Sequence, residues 1–370
     1  MNPAPPPARL RMALLNFCYW PEVRRGTERV MHDLATGLAE RGHRPQIITS
    51  HPGLPGRARE DGVEVIRNWR PPDLPLRLRK IGDNLTHVPF SLRSLRASDT
   101  EIAHAFYASD ALASVAWARR TGRPCVMSWM GLMAAGWLSS RALRLETNRR
   151  AIYGSDALVV LSQTARDSVW RWTGVEGHII HPGVDTRHFS PGGTRDEHPT
   201  IVCAAAPEEP AKRVGLLVRA FTHVRRSRPT ARLILMRPRD PALARELTGE
   251  GIELSDAVSD EVVHLYRRAW VSALPSVNEA FGLVIAEALA CGTPGVASTG
   301  FGPQEILSPG DVGRTFEGED ERALARALLE ALELSDDPHC AAACVRRAAD
   351  FSSDAATAAH EALYRELLSR

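Results

Sequence analysis

Long apolar runs are missing from this 370-residue chain, and none reaches the roughly eighteen residues a membrane-spanning helix needs. The opening MNPAPPPARLR is rich in proline and lacks the apolar core of a secretory signal, so residues 1–10 are expected to form a disordered tail. Cysteine is sparse: Cys18, Cys125, Cys203, Cys291, Cys340 and Cys344 lie scattered, mostly in apolar segments. Cys340 and Cys344 can meet on one helix face, but no second Cys or His pair accompanies them, so packing is their expected role. A chain without a disulfide framework is expected in a reduced, cytoplasmic setting. No Asp-x-Asp motif occurs, and His32, His43, His104, His181 and His188 are not spaced like metal ligands, so no required metal or other cofactor is expected. Lysine is the scarcest charged residue. Among 46 Lys+Arg only Lys80 and Lys212 are lysines, so a lysine at a special place is unlike an incidental basic choice.

What the chain does contain fits a soluble protein of two domains. A 44% hydrophobic and 24% charged composition is that of globular proteins, and the length suffices for two cores. The net charge of +2 conceals an asymmetry. Residues 1–190 hold 26 Lys+Arg against 17 Asp+Glu, whereas residues 191–370 hold 20 against 27. Two readings of the basic first half stand: an anionic partner there, either substrate or membrane surface, or ordinary solvated arginine.

Strand-like apolar runs at 12–18, 46–49, 102–106, 125–129 and 157–161 alternate with helical patterns at 27–41, 111–120 and 164–172. The second half repeats this with strands at 201–205, 232–236, 271–274 and 295–297, and helices at 216–226, 260–268, 283–291, 319–332 and 354–368. Such alternation predicts an α/β protein built from doubly wound parallel sheets. Residues 11–185 and 200–350 are the expected domains. The Pro- and Gly-rich stretch 186–199 is the expected linker, and 351–370 a terminal helix packing back on the first domain.

Residues 276–298 read SVNEAFGLVIAEALACGTPGVAS and carry the most chemical information. Pro275, Ser276 and Asn278 mark a turn, Gly282 precedes an apolar helical run, and Gly292 and Pro294 end it. A helix that opens at a glycine turn presents free N–H groups and the positive end of its dipole, which suits phosphate. Glu279 and Glu287 stand eight residues apart, about 12 Å if the stretch is helical at roughly 1.5 Å per residue. They could then address hydroxyls on either side of a bound diphosphate. The competing reading makes Glu279 a helix cap and Glu287 a solvated face residue.

This stretch, continued by Gly300, Gly302 and Glu305, resembles the E-x7-E donor signature of glycosyltransferase family four, whose members retain anomeric configuration and have the GT-B fold. RGTERVMHDLATGLAERGHRPQIITS, SDALVVLSQTARDSV, IIHPGVDTRHFSP and EEPAKRVGLLVRAF are similar to further segments of that family in the same order. The resemblance implies two Rossmann-like doubly wound domains facing a central cleft. It also implies a metal-independent transferase whose co-substrate is a UDP- or GDP-linked sugar. Glu279, with the amides of Ala280, Phe281, Gly282 and Leu283, would hold the sugar, and Glu287 the ribose. Lys212 would bind phosphate and, with Glu279, serve catalysis, while Val258 would line the donor site.

Three departures from the family pattern stand out. Its usual glycine pair is here Arg25-Gly26, which loses backbone freedom but adds a cation; the alternative is that Arg25 points to solvent and the loop only caps a helix. The arginine expected six residues before Lys212 is Ala206, with Arg213 or Arg25 as candidates to restore the charge. On the acceptor side, after Trp129, the family's histidine is Met130, whose thioether carries no proton.

The expected activity is therefore retaining transfer of a sugar to a small-molecule, glycan or lipid-linked acceptor, with no nucleic-acid partner. A sugar-nucleotide epimerase or hydrolase, and a silent donor-binding subunit, remain as alternatives. Residues 67–96 carry seven basic and two acidic residues interleaved with Trp69, Leu74, Leu76, Leu78, Ile81 and Phe90. They read either as a contact to the inner face of an anionic membrane or as an acceptor-side lid.

Overall fold

The computed structural model describes residues 8–23, 25–74, 78, 84–258 and 261–370, with the side chains of Ala135 and Trp137 excepted. Most of the expected N-terminal tail, Lys80, and the first residue of the helix expected at 260–268 lie outside the described residues. The chain divides into two compact units. One comprises the residues up to 161 with 165–183 and 356–370, and the other comprises 162–164 with 184–355.

The first unit is built on eight strands: β1 (Arg11–Leu15), β2 (Arg44–His51), β3 (Gly56–Glu60), β4 (Val63–Trp69), β5 (Ile102–Ala105), β6 (Cys125–Trp129), β7 (Ala157–Val160) and β8 (His178–Ile179). Their order across the sheet is β3-β4-β2-β1-β5-β6-β7-β8. Among the described residues only β3 runs antiparallel to its neighbour. The central strands read RMALL, IAHA, CVMSW and ALVV, nearly continuous apolar runs, because helices cover both faces of a parallel sheet. The helix Gly26–Glu40 buries Val30, Met31, Leu34 and Leu38 at helical spacing. The hairpin β3–β4 is absent from the sequence-based expectation: RARE in β3 is polar and exposed, although β4 buries Val63, Val65 and Ile66. A clear sequence signal is Asp61-Gly62, whose φ values of 47° and 80° make the tight turn that suits a two-residue hairpin.

The C-terminal helix Ser353–Ser369 is tied to this sheet through buried polar groups. His104 on β5 lies 2.6 Å from the Tyr364 hydroxyl through Nδ1 and 2.8 Å from Ser128 Oγ through Nε2. The His360 ring sits 5.5 Å from that of His104.

The second unit has six strands, all parallel: β9 (Thr200–Cys203), β10 (Arg232–Met236), β11 (Ile252–Ser255), β12 (Val271–Leu274), β13 (Gly295–Ser298) and β14 (Gly313–Phe316). The order β11-β10-β9-β12-β13-β14 reverses direction between β9 and β12. Helices Val214–Ser227, Val262–Arg268 and Leu283–Ala290 supply crossovers, and Glu321–Leu334 follows the last strand. Residues 186–199 are bound to this unit. Arg268 bridges Asp196 at 2.9 Å, and Trp270 Nε1 donates to the Asp196 carbonyl at 2.8 Å. The division between units falls at 183/184 on one side and 355/356 on the other. All six cysteines are free and buried.

Burial holds both linked histidines neutral: the pKa of His104 is driven well below its ordinary value, and that of His360 falls from 6.5 to about 4. An unfolded chain takes up protons at these sites below pH 6.5, whereas the fold resists them. Their contribution to stability is thus complete above that pH and lost as pH falls towards 4. For His360 alone the loss amounts to about 3 kcal/mol. The urea midpoint at pH 5 should lie below that at pH 7, and His360→Gln should narrow the gap. Equal midpoints at the two pH values would remove the buried-neutral assignment.

Candidate functional site

Where a parallel sheet reverses its strand order, crossovers leave towards opposite faces and the loops at the carboxyl ends part, opening a crevice. In the second unit that point lies between β9 and β12. The loop after β9 ends in a short 3-10 turn, Pro210–Lys212, and the loop after β12 carries Glu279. Lys212 Nζ lies 2.7 Å from Glu279 Oε2, joining residues 67 apart in sequence. Their side chains keep 23% and 21% of their exposure, so both remain within reach of a solute. The backbone reinforces this approach, since Val277 N–H donates to the Ala211 carbonyl at 2.8 Å.

Beyond Glu279 the chain turns tightly into the helix Leu283–Ala290. Gly302 N–H donates to the Glu279 carbonyl at 2.9 Å. A Cβ on Gly302 would meet the Ala280 carbonyl oxygen at 2.2 Å, so only glycine fits there. Ala280 and Phe281 are buried, and Phe281 packs edge-on against Phe351 with ring centroids 5.3 Å apart. From Ala280, Phe281, Gly282 and Leu283 it is chiefly the main chain that can address an anion, through the first-turn N–H groups that no helical carbonyl reaches.

Glu287 is not a solvated face residue. It is 4% exposed, and the Tyr266 hydroxyl donates to its Oε2 at 3.2 Å. Such burial demands polar partners. Val258 sits on the loop after the edge strand β11, two strands from β9, and is 64% exposed. Glu305 holds a different contact. Its carboxylate accepts from the N–H groups of Gln163 and Thr164, each at 2.8 Å, and those residues cluster with the second unit.

Arg213 departs from expectation. The sequence offered it, beside Arg25, as a candidate to replace the phosphate-binding charge missing at Ala206, but its side chain is only 10% exposed and engaged elsewhere. Nε donates to the Pro275 carbonyl at 2.6 Å, one terminal nitrogen to the Gly318 carbonyl at 3.0 Å, and the other to Ser298 Oγ at 2.7 Å. Its backbone has φ 50° and ψ 37°, a left-handed conformation that costs a residue with a Cβ roughly 1–2 kcal/mol. Geometry that turns a guanidinium into a clamp removes it from the list of loose cations.

In the first unit, Arg25 precedes the helix that Gly26 opens, and its side chain is 65% exposed. A Cβ on Gly26 would meet nothing within 4 Å. The hub of this loop is Glu28, which the sequence reading passed over. Its carboxylate is 2% exposed and accepts from Asn16 Nδ2, Cys18 Sγ and the Arg25 N–H, each at 3.1 Å. Its position three residues after Arg25, which caps the helix, is the available signal, the acidic half of a capping box. Trp129 ends β6 and is buried, and Met130, half-buried, follows it. β6 lies two strands from β1, so these two residues and the Gly26 loop sit at different strands of one sheet.

A family model described as Glycosyltransferase Family 4 matches residues 24–188, and one described as Glycosyl transferases group 1 matches residues 198–334. The D-inositol 3-phosphate glycosyltransferase of Frankia alni is 28% identical over 311 residues, covering 73% of this chain and 75% of that protein. Its namesake in Corynebacterium kroppenstedtii is 28% identical over 233 residues, covering 55% of this chain and 51% of that protein. The chain thus spans about half the length of that curated relative. Sucrose-phosphate synthase from Thermosynechococcus elongatus superposes with a TM-score of 0.81 at 21% identity, covering 98% of this chain and all of the other. Anabaena HepE in complex with UDP and glucose gives a TM-score of 0.73 at 16% identity, covering 96% of this chain and 99% of the other. These likenesses identify the two Rossmann-like units as a GT-B fold. With one family model on each unit, the chain belongs to glycosyltransferase family 4.

Proposed function

We propose that this chain is a retaining glycosyltransferase that carries a sugar from a nucleoside-diphosphate donor to an acceptor hydroxyl. The observation that carries the reading is the close pairing of Lys212 with Glu279 where the second sheet reverses its strand order, beside a helix start. The bond from the anomeric carbon to the diphosphate oxygen breaks, and that oxygen keeps the electron pair. Lys212 and the first-turn amides after Glu279 offset the charge that grows there. The Gly26 loop, with Arg25, is a further diphosphate contact in this reading. Glu279 orients the sugar by accepting hydrogen bonds from its hydroxyls, and Glu287 accepts from the ribose. The acceptor oxygen bonds to the anomeric carbon on the face that the leaving group vacates, and its proton passes to the departing phosphate. Neither glutamate forms a covalent intermediate. Trp129 and Met130 lie on the acceptor side of this scheme.

UDP-sugars are the first donors to try, because HepE was solved with UDP, and GDP-sugars follow. The shared name of the relatives makes D-inositol 3-phosphate the first acceptor to try, and a phosphorylated acceptor suits the basic first half of the chain. Acceptor-dependent release of nucleotide with retained configuration tests the reading. Release without acceptor would favour a hydrolase, and donor binding with no turnover across an acceptor panel a silent subunit. Lys212→Ala and Glu279→Ala should each lower kcat by about 10²-fold or more, the scale of removing one group that stabilises transition-state charge. Full turnover by both variants would end the assignment.

Among the described residues no group of three or more His, Cys, Asp or Glu could hold a metal ion. The proposed chemistry uses none, and activity should survive EDTA. A strict requirement for an added divalent cation would show that the scheme omits a component.

A peripheral contact with an anionic membrane belongs to the same proposal. Trp69, Leu74 and Leu78 are 43%, 58% and 74% exposed within the basic segment 67–96, whose Leu76, Lys80 and Ile81 lie outside the described residues. Co-sedimentation with phosphatidylglycerol vesicles but not with phosphatidylcholine vesicles is expected; absence of binding to both would leave the lid reading of that segment.

A further inference from the structure

One largely buried guanidinium in the second unit reaches residues at the carboxyl ends of three neighbouring strands. Arg213 lies on the chain leaving β9. Pro275, whose carbonyl it contacts, follows β12 directly. Ser298 is the last residue of β13, and Gly318 stands two residues beyond β14. β9, β12, β13 and β14 are consecutive in the sheet. The guanidinium carbon also lies 5.7 Å from the centroid of the Phe316 ring, on β14 itself. Three hydrogen bonds from one planar fork define the spacing of loops more narrowly than a flexible ammonium could.

Two of those loops hold the groups assigned to the donor. Arg213 is joined to Lys212 by a peptide bond, and Pro275 lies four residues before Glu279. The left-handed backbone at Arg213 is of the kind that persists only where surrounding contacts impose it. A glycine would adopt it without strain, so the side chain's contacts are the reason an arginine is accommodated.

We propose that Arg213 is a positioning residue. Its guanidinium holds the Lys212 turn and the Glu279 loop at the separation the donor requires, and does not itself bind the diphosphate. The proposal deepens the glycosyltransferase reading and rests on it for its catalytic consequence.

The test uses the full chain with Arg213→Gly, Arg213→Lys and the milder Ser298→Ala. Arg213→Gly keeps the left-handed backbone without strain and removes only the clamp. With UDP-glucose and D-inositol 3-phosphate as the probe pair, Arg213→Gly and Arg213→Lys should both lower kcat by about 10- to 100-fold, the scale of a small misplacement of reacting groups. Their affinity for UDP should change little, and Ser298→Ala should act in the same direction but more weakly. An arginine that bound the diphosphate directly would instead lose UDP affinity in the glycine variant and recover much of it in the lysine variant, which would overturn the proposal. Hydrogen exchange of the amides in 275–282 should quicken in Arg213→Gly, and unchanged exchange there would also overturn it. Should the wild-type chain turn over no donor at all, the functional reading fails by itself, while the exchange measurement still decides whether Arg213 holds the loop.

Discussion

The ion pair between Lys212 and Glu279 can form only because the second sheet reverses its strand order between β9 and β12. Adjacent parallel strands whose crossovers depart to opposite faces leave their outgoing loops unfilled by either helix layer, and polar groups can face one another there at low desolvation cost. A pair that keeps about a fifth of its exposure contributes little to stability, of the order of 1 kcal/mol or less. Its importance under the proposed reading is geometric. A cation and a carboxylate stand at hydrogen-bonding distance beside a helix start, so a solute bearing both phosphate and hydroxyls would find complementary groups already assembled.

Rigidity around that pair comes from several kinds of contact. Gly302 lets two backbones approach so closely that a single methyl group would be excluded. Backbone hydrogen bonds then hold the Glu279 loop from both sides, Val277 against Ala211 and Gly302 against the Glu279 carbonyl. Arg213 adds a third fastening across the strand ends. In the first unit Glu28 has a comparable task, gathering Asn16, Cys18 and the Arg25 N–H around one buried carboxylate. Arg25 stands where the family has a glycine, and this hub fixes the loop's main chain through contacts rather than through conformational freedom. The Arg25 side chain, 65% exposed, lies over this hub, with Nε 3.7 Å from the Glu28 carboxylate and a terminal nitrogen 3.8 Å from Cys18 Sγ.

Much of the architecture was legible from apolar periodicity alone. Strands at 125–129, 232–236 and 271–274 match their observed ranges, because a buried parallel strand must be apolar on both faces and has few other ways to read. The helix after Gly282 was legible from its glycine and proline punctuation. The edge strand β3 was not, since a solvated edge strand needs no apolar pattern; Asp61-Gly62 and the buried Val63, Val65 and Ile66 of β4 are the signals that could have revealed the hairpin. The short edge strands β8 and β11 escaped for a similar reason: each is bordered on one side only and is at most half-buried.

The sequence by itself determined the class of fold and the residue types that recur in the glycosyltransferase pattern. These follow from local spacing, which any segment expresses without knowledge of its neighbours. Tertiary structure decided which residues meet. Lys212 reaches Glu279 across 67 residues through strand order, which local periodicity does not encode. Likewise Glu287 is buried beneath the Tyr266 hydroxyl, and Arg213 is a clamp and not a loose cation, because burial and side-chain direction are set by packing against elements distant in the chain.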